Sequence, residues 1–167
     1  MAVMATAILR KTIAGWNRAA KGIPFVVLTD LDDADCAPSL VGDWLAVPKH
    51  PNLVFRVAVR EVEAWLLGDT VHFAKFIGCA VDKMPHDPDT LPDPKRTLVD
   101  LASESRFADI RNRVVPKRGS TAQQGPDYNA CLSDFVRGSW SSAESARRSP
   151  SLKSALTCFS KFEPTWT

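Results

Sequence analysis

The sequence lacks several features that define common classes of protein. Its four cysteines are scattered, with no Cys-x-x-Cys pair, so there is neither a zinc-ribbon pattern nor a disulfide framework. The three histidines do not stand at metal-ligand spacing. No apolar run approaches the ~18 residues of a membrane span, and residues 1–21 lack the apolar core of a secretion signal. A reduced cytoplasm is therefore the expected location.

The chain also has little net charge. A formal charge of +2 over 167 residues is too small to indicate nucleic-acid binding by itself. Its distribution is uneven, because residues 1–24 contain no acidic residue and residues 106–118 hold five basic residues against Asp109. Each segment is either a solvated helix face or a basic surface that binds along a phosphate backbone, and the sequence does not decide between the two.

Residues 25–36 are the segment around which the chain is organised. Five residues of buried-strand type, 25–29, run into four aspartates within six positions. Such a run is typical of a strand covered on both faces of a parallel sheet, and ligands bind beyond the carboxyl ends of these strands. In extended backbone Asp30 and Asp32 point to the same side, and a divalent cation would most simply offset their repulsion. The alternative is a solvated acidic turn.

Hydrophobic periodicity and capping residues predict the other elements. A second strand is expected over 52–59 and a short one near 113–115, and residues 82–94 form a proline-rich loop. Helices are expected over 4–20, 38–46, 60–67, 70–77, 94–103, 105–112, 126–136, 141–147 and 150–162. The prediction is a single α/β domain over 1–167, with an α/β core over 1–125 and a helical extension over 126–167.

Four further side chains are candidates for chemistry. Glu63 lies at the start of a helix after the second strand. It is either the third carboxylate of the site, beside Asp30 and Asp32, or a solvated helix residue. Lys95 lies in a first helical turn, where the helix dipole disfavours a cation, so it either contacts substrate phosphate or is an ordinary surface lysine. Lys117 lies in a glycine-bearing loop and competes for the phosphate role. Arg60 either pairs with Glu63 or holds phosphate.

Two neighbouring side chains are given structural roles. Glu61 is expected to favour a helix N-terminus through its charge. Tyr128 is interpreted as a core residue or a loop clamp rather than a nucleophile, because no helper base is apparent.

Several stretches together resemble a known family. VVLTDLDDADC, RVAVREVEAWLLGD, DPKRTL and VVPKRGS, followed by QGPDYN and SPSL, occur in this order between about Phe25 and Phe162. They resemble a bacterial TOPRIM-like family of unknown function, distantly similar to the nuclease domain of overcoming-lysogenization-defect (OLD) enzymes. The resemblance implies a TOPRIM-like, Rossmann-like fold with a mainly parallel sheet flanked by helices. It also implies Mg²⁺- or Mn²⁺-dependent phosphodiester chemistry on nucleic acid, DNA in preference to RNA, and an AAA- or ABC-type ATPase partner in phage defence.

The resemblance also implies roles for particular residues. TOPRIM domains carry Asp-x-Asp after a buried strand, and Asp30 and Asp32 match it. Glu63 and Lys95 are not part of that motif and are chosen from their helix positions given above. Together with Asp30 and Asp32, Glu63 is an expected metal ligand, and Lys95 completes the expected catalytic set. The family carries another glutamate on an earlier strand-to-helix turn, whereas residues 1–24 contain neither an acid nor a predicted strand. That first strand is therefore expected to be missing, through a late assigned start, a truncated gene or divergence.

Two other functions fit parts of the pattern. A haloacid-dehalogenase-like phosphatase also begins with Asp-x-Asp after a strand, with Asp30 as nucleophile and Asp32 as acid and base. Gly68 and Asp69 could supply its later acidic motif, but Ala34 stands where that family has Thr or Val. The second alternative is a non-catalytic regulatory or adaptor subunit for an ATPase partner.

Overall fold

The computed structural model describes residues 2–166, with side chains from Thr6 onward, so Met1 and Thr167 lie outside it. Short 3₁₀ turns occur at Val81–Lys83 and Pro88–Thr90 within the proline-rich loop. The remaining elements are α1 (Ala2–Ala19), β1 (Phe25–Asp30), α2 (Ala37–Trp44), β2 (Leu53–Ala58), α3 (Val62–Gly68), α4 (Thr70–Ile77), α5 (Pro94–Ser103), α6 (Ala108–Val114), α7 (Tyr128–Gly138), α8 (Ser142–Ser145) and α9 (Pro150–Ser160).

The two strands form a parallel pair, which confirms the α/β class. Phe25 stands opposite Leu53 and Asp30 opposite Ala58, so both strands end at the same edge. The connection runs through α2, as a parallel pair requires a crossover. Helices α1 and α2 cover one face of this sheet, where the buried side chains of Ile13 and Trp44 pack in the same apolar cluster as the strands.

The opposite face of the sheet is covered only in part. Helix α9 packs on β2, and Leu152 and Ala155 contact the cluster that contains Ala58. On β1, by contrast, Val26 is 62% exposed and Leu28 is 39% exposed. The prediction that β1 is covered on both faces is therefore wrong, because α9 covers β2 but leaves these β1 side chains in contact with solvent.

A second apolar cluster holds the helices from α3 to α7 together. Phe73 on α4 packs edge-on against Phe135 on α7, with ring centroids 5.1 Å apart. Tyr128 and Leu98 are also fully buried in this cluster. It joins residues on both sides of position 125, so the C-terminal helices share a core with the preceding segment.

Capping residues account for two helix starts that the sequence predicted. Asp93 accepts a hydrogen bond from the backbone N–H of Arg96 at 2.7 Å, and Pro94 is the first residue of α5. Ser149 accepts the N–H of Leu152 at 3.2 Å at the start of α9. Both residue types are favoured at these positions because they satisfy N–H groups that a helix leaves free.

The strand predicted near 113–115 is wrong. Residues Arg113 and Val114 instead end α6, and the Val114 side chain is buried in the second cluster. The short apolar run was ambiguous between the two structures, and helix packing decided it. None of the helices over residues 2–166 combines the length and the apolar character needed to cross a bilayer.

Candidate functional site

The candidate site lies at the edge where both strands end. The backbone N–H of Leu31 donates to the carbonyl oxygens of Ala58, at 2.9 Å, and Arg60, at 2.8 Å. The N–H of Asp32 also donates to the Arg60 carbonyl, at 3.1 Å. These bonds continue the pairing past the last strand residues. The segment that carries Asp30 and Asp32 is thus held against the segment that leads into α3.

Asp30 is half-buried at this edge and is tied to the start of α3. Its Oδ1 atom accepts the N–H of Val62 at 2.9 Å. Burial raises the pKa of Asp30 to about 6; the hydrogen bond from Val62 lowers it, while the charges of Glu63, Asp32 and Glu61 raise it further. Burial is thus the main reason that the pKa of Asp30 is raised, and the neighbouring carboxylates add to it.

Asp32 does not continue the extended backbone of β1. Its φ is +48°, a left-handed conformation that aspartate tolerates better than most residues. Its carbonyl oxygen accepts a hydrogen bond from Nη1 of Arg60 at 2.8 Å. The prediction of extended backbone through Asp32 is therefore wrong, because β1 ends at Asp30 and the chain turns.

A lysine joins the two glutamates of the α3 segment. The backbone N–H of Lys95 donates to Oε2 of Glu61 at 2.9 Å. The Lys95 ammonium lies 3.5 Å from Oε1 of Glu61 and 3.6 Å from Oε1 of Glu63. The Tyr128 hydroxyl donates to the same Oε1 atom of Glu63 at 2.9 Å. Side chains from α3, α5 and α7 thus converge on Glu63.

The charge states within this network follow from burial and neighbouring charge. Burial alone would lower the pKa of Lys95, but the charges of Glu63 and Glu61 outweigh it and raise that pKa. Burial raises the pKa of Glu61, although the N–H of Lys95 partly offsets this. Burial and the adjacent Glu63 raise the pKa of Tyr128. Lys95 is therefore charged, and Tyr128 acts only as a protonated donor.

One carboxylate oxygen of the network makes no hydrogen bond to the described residues. The Oε2 atom of Glu63 is buried and has no hydrogen-bond partner among the described residues. Glu63 as a whole is only 4% exposed. An unsatisfied buried carboxylate oxygen is costly, by roughly 1–3 kcal/mol or more for a charged group, and so calls for a donor or a cation.

A cleft of about 640 Å³ opens beside the network. Leu31, Leu40 and Trp44 form an apolar part of its lining, and Arg10 and Arg60 supply positive charge. Acidic residues outnumber these two arginines, namely Asp32, Asp33, Asp43, Glu61 and Asp93. Asp32 and Glu61 are thus reachable from solvent through an acidic cleft, whereas Asp30 and Glu63 do not belong to its lining.

The predicted metal ligands do not form a finished metal centre. Among the side chains of residues 6–166, no three of His, Cys, Asp and Glu are arranged as a ready site for a metal ion. Lys95 and Tyr128 instead engage the glutamate oxygens. The site has the charge that a cation requires, but its oxygens are partly satisfied by donors from the chain itself.

Two predicted residues lie apart from the network. Lys117 is exposed in the loop before α7, and across residues 6–166 no hydrogen bond or ion pair links it to the carboxylates. Asp69 is buried, with Oδ1 located 2.8 Å from Nδ1 of His72 and Oδ2 accepting the N–H of Ser141 at 2.7 Å. Both carboxylate oxygens of Asp69 are therefore engaged by His72 and Ser141, which leaves neither free for the later acidic motif of a phosphatase.

Sequence reasoning missed the roles of Glu61 and Tyr128. Glu61 stands at the N-cap of α3, the helix N-terminus that its charge was expected to favour, but its side chain makes no capping hydrogen bond there. Its carboxylate instead accepts the N–H of Lys95 at the start of α5. Tyr128 is buried, as expected for a core residue, but its hydroxyl also holds Glu63. The two closely spaced glutamates, Glu61 and Glu63, were a signal that a cation such as Lys95 would lie beside them. No local sequence pattern indicates the contact between Tyr128 and Glu63.

Comparison of the chain with protein-family models, curated proteins and solved structures gives no match. The TOPRIM-like resemblance therefore stays a prediction.

Proposed function

We propose that this chain is a metal-dependent phosphodiesterase with a TOPRIM-like fold, acting on nucleic acid and on DNA in preference to RNA. Asp30, Asp32 and Glu63 are the proposed ligands of Mg²⁺ or Mn²⁺. One observation carries the proposal: four carboxylates share the edge of two parallel strands with two cationic side chains, and the pKa of Asp30 is raised to about 6.

The residues present fit a hard divalent cation in charge and in donor type. Mg²⁺ prefers carboxylate and water oxygens and is usually held by one or two carboxylates. The buried Oε2 atom of Glu63 has no hydrogen-bond partner among the described residues and so offers a carboxylate oxygen of the kind that Mg²⁺ binds. Burial, with added repulsion from Glu63, Asp32 and Glu61, raises the pKa of Asp30, and a bound cation would favour its ionised form.

When bound, a divalent ion would polarise a phosphate oxygen and lower the pKa of a coordinated water. The chain's own residues would prepare the site. The Tyr128 hydroxyl orients Glu63 through Oε1. The charged Lys95, placed 3.6 Å from that oxygen, would offer its ammonium to a substrate phosphate, and Arg60 anchors the Asp32 carbonyl. Arg60 and Lys117 are proposed as secondary phosphate contacts.

The test compares Asp30→Asn with Asp35→Asn, a change of the same type at an exposed position in the same segment. Mg²⁺ is expected to raise the unfolding temperature of the wild type and of Asp35→Asn, but not that of Asp30→Asn. Plasmid and single-stranded DNA are expected to be cleaved at least about a hundredfold more slowly by Asp30→Asn, a loss typical of removing one transition-state contact.

Two results would contradict the proposal. One is a wild-type chain whose stability does not respond to Mg²⁺ or Mn²⁺. The other is unchanged DNA cleavage by Asp30→Asn. RNA is included as a substrate, since the preferred nucleic acid is part of the proposal. Turnover of p-nitrophenyl phosphate without DNA cleavage would instead favour the phosphatase hypothesis.

A non-catalytic role as a regulatory or adaptor subunit of an ATPase is the second candidate. It is favoured by the position of Lys95, whose ammonium lies between Glu61 and Glu63 where a metal ion would otherwise neutralise them. Under this hypothesis Mg²⁺ has no effect on stability, and the chain co-purifies with an ATPase in a complex that does not cleave DNA.

A further inference from the structure

The outer edge of β1 has backbone groups available for pairing. The N–H groups of Phe25 and Leu31 donate toward the β2 side, to Asn52 and Ala58, each at 2.9 Å. Since successive residues of a strand alternate in direction, the N–H and C=O groups of Val26 and Leu28 point away from β2. Within residues 2–166, β2 is the only strand that pairs with β1.

The side chains at this edge are apolar and uncovered. Val26 is 62% exposed and Leu28 is 39% exposed, and both lie on the face that α9 leaves open. Residues 25–29 contain no proline, no lysine and no other charge, and Asp30 at the end of β1 is the one charged residue of the strand. Apart from this aspartate and Pro24 just before the strand, the edge has few of the devices that usually prevent edge-to-edge association. A two-stranded sheet is also marginal by itself.

The charge on either side of β1 selects an antiparallel neighbour. Residues 1–24 contain no acid and carry Arg18 and Lys21 shortly before the strand. Asp32, Asp33 and Asp35 follow it. A strand in the opposite direction brings the basic end of one chain to the acidic end of the other, whereas a parallel arrangement would bring acid to acid.

We propose that the free edge of β1 pairs antiparallel with β1 of a second copy of this chain, giving a continuous four-stranded sheet. The arrangement is a two-fold, isologous interface, in which the same surface is used by both copies. In this register Val26 stands opposite Leu28 of the second copy, and the outward N–H and C=O groups of both residues are paired. The interface does not depend on the proposed metal chemistry.

The test uses two valines of nearly equal exposure. Val26→Lys places a charge on the edge, and Val71→Lys, at a position on α4 that is 58% exposed, is the matched control. Light scattering coupled to size exclusion should give the wild type and Val71→Lys twice the 18.3 kDa of one chain. Val26→Lys should be a monomer with an unchanged circular dichroism spectrum, its dissociation constant raised at least about tenfold.

Hydrogen exchange tests the same interface without a mutation. The amide protons of Val26 and Leu28 should exchange more slowly as the wild-type concentration rises over a roughly hundredfold range, because a dimer forms by mass action. A wild-type monomer across that range overturns the proposal, as does a dimer that Val26→Lys leaves intact. Association with a different protein through β1, with no self-association, also overturns it.

Discussion

At the scale of single residues, Asp30 has the most informative environment in the candidate site. Burial and three neighbouring carboxylates raise its pKa from 3.8 to about 6. The folded chain therefore holds a proton at Asp30 more tightly than the unfolded chain does. Protonation of this residue stabilises the fold fully below about pH 4, and that stabilisation is lost as the pH rises to about 6.

We expect Asp30→Asn to remove much of this pH dependence. Asparagine keeps an oxygen that can accept the N–H of Val62 but carries no charge. Between pH 4 and 7 the wild type should lose about 1–2 kcal/mol of unfolding free energy relative to the variant, after the shift is discounted for partial exposure. Urea unfolding at several pH values measures this difference.

Asp35→Asn is the control, because Asp35 is exposed in the same segment. Glu61, whose pKa is also raised by burial, contributes a trend of the same sign to every variant. Stability curves of wild type and Asp30→Asn that run parallel from pH 4 to 7 would contradict the environment described for Asp30.

At the scale of elements, the start of α9 depends on contacts with the proline-rich loop. Ser149 is fully buried and donates from its hydroxyl to Oδ1 of Asp89 at 2.7 Å, while accepting the N–H of Leu152. The N–H of Ser151 donates to Oδ2 of Asp89 at 2.8 Å. One buried serine therefore caps α9 and also attaches it to a loop 60 residues earlier in the chain.

We expect Ser149→Ala to lower the free energy of unfolding by about 1–3 kcal/mol. The loss combines a helix cap, worth about 1 kcal/mol, with a weakened set of donors to the Asp89 carboxylate. Thermal unfolding followed by circular dichroism measures it. The control is Ser139→Ala, at an exposed position after α7, which should change stability by less than about 0.5 kcal/mol. Equal effects of the two changes would contradict this role for Ser149.

At the scale of the whole molecule, the C-terminal helices complete the core that supports the site. Phe135 on α7 packs against Phe73, and Leu152 on α9 covers the β2 face near Ala58. Tyr128 reaches Glu63 from the same part of the chain. The division into residues 1–125 and 126–167 thus separates side chains that share apolar clusters.

A chain that ends at residue 125 is therefore expected not to fold. Without α7 to α9 it would expose Phe73 and Ala58, which are fully buried in the intact chain, and burial of one large apolar side chain contributes roughly 1.5–3 kcal/mol. Amide chemical-shift dispersion in solution NMR measures the outcome. The control is the full chain cleaved once in the exposed loop over 117–123, with both pieces retained, which should stay folded. A dispersed spectrum from the shortened chain would contradict this expectation.

Local sequence was enough to predict most elements, because their causes are local. The apolar run before Asp30, the Asp93–Pro94 start of α5 and the Ser149–Pro150 start of α9 each act within a few residues. The errors occurred where packing decides. The run near Val114 formed a helix end instead of a strand, and β1 is exposed at Val26 because α9 covers only its neighbour.

The sequence by itself determined that Asp30 lies at the carboxyl end of a strand in an α/β sheet, because the apolar strand pattern and the acidic turn occupy consecutive residues. Only the tertiary structure decided which groups meet it there. Glu61 meets Lys95 across 34 positions, and Glu63 meets Tyr128 across 65. Such contacts depend on how helices pack around a shared core, and no periodicity or spacing within one segment encodes that arrangement.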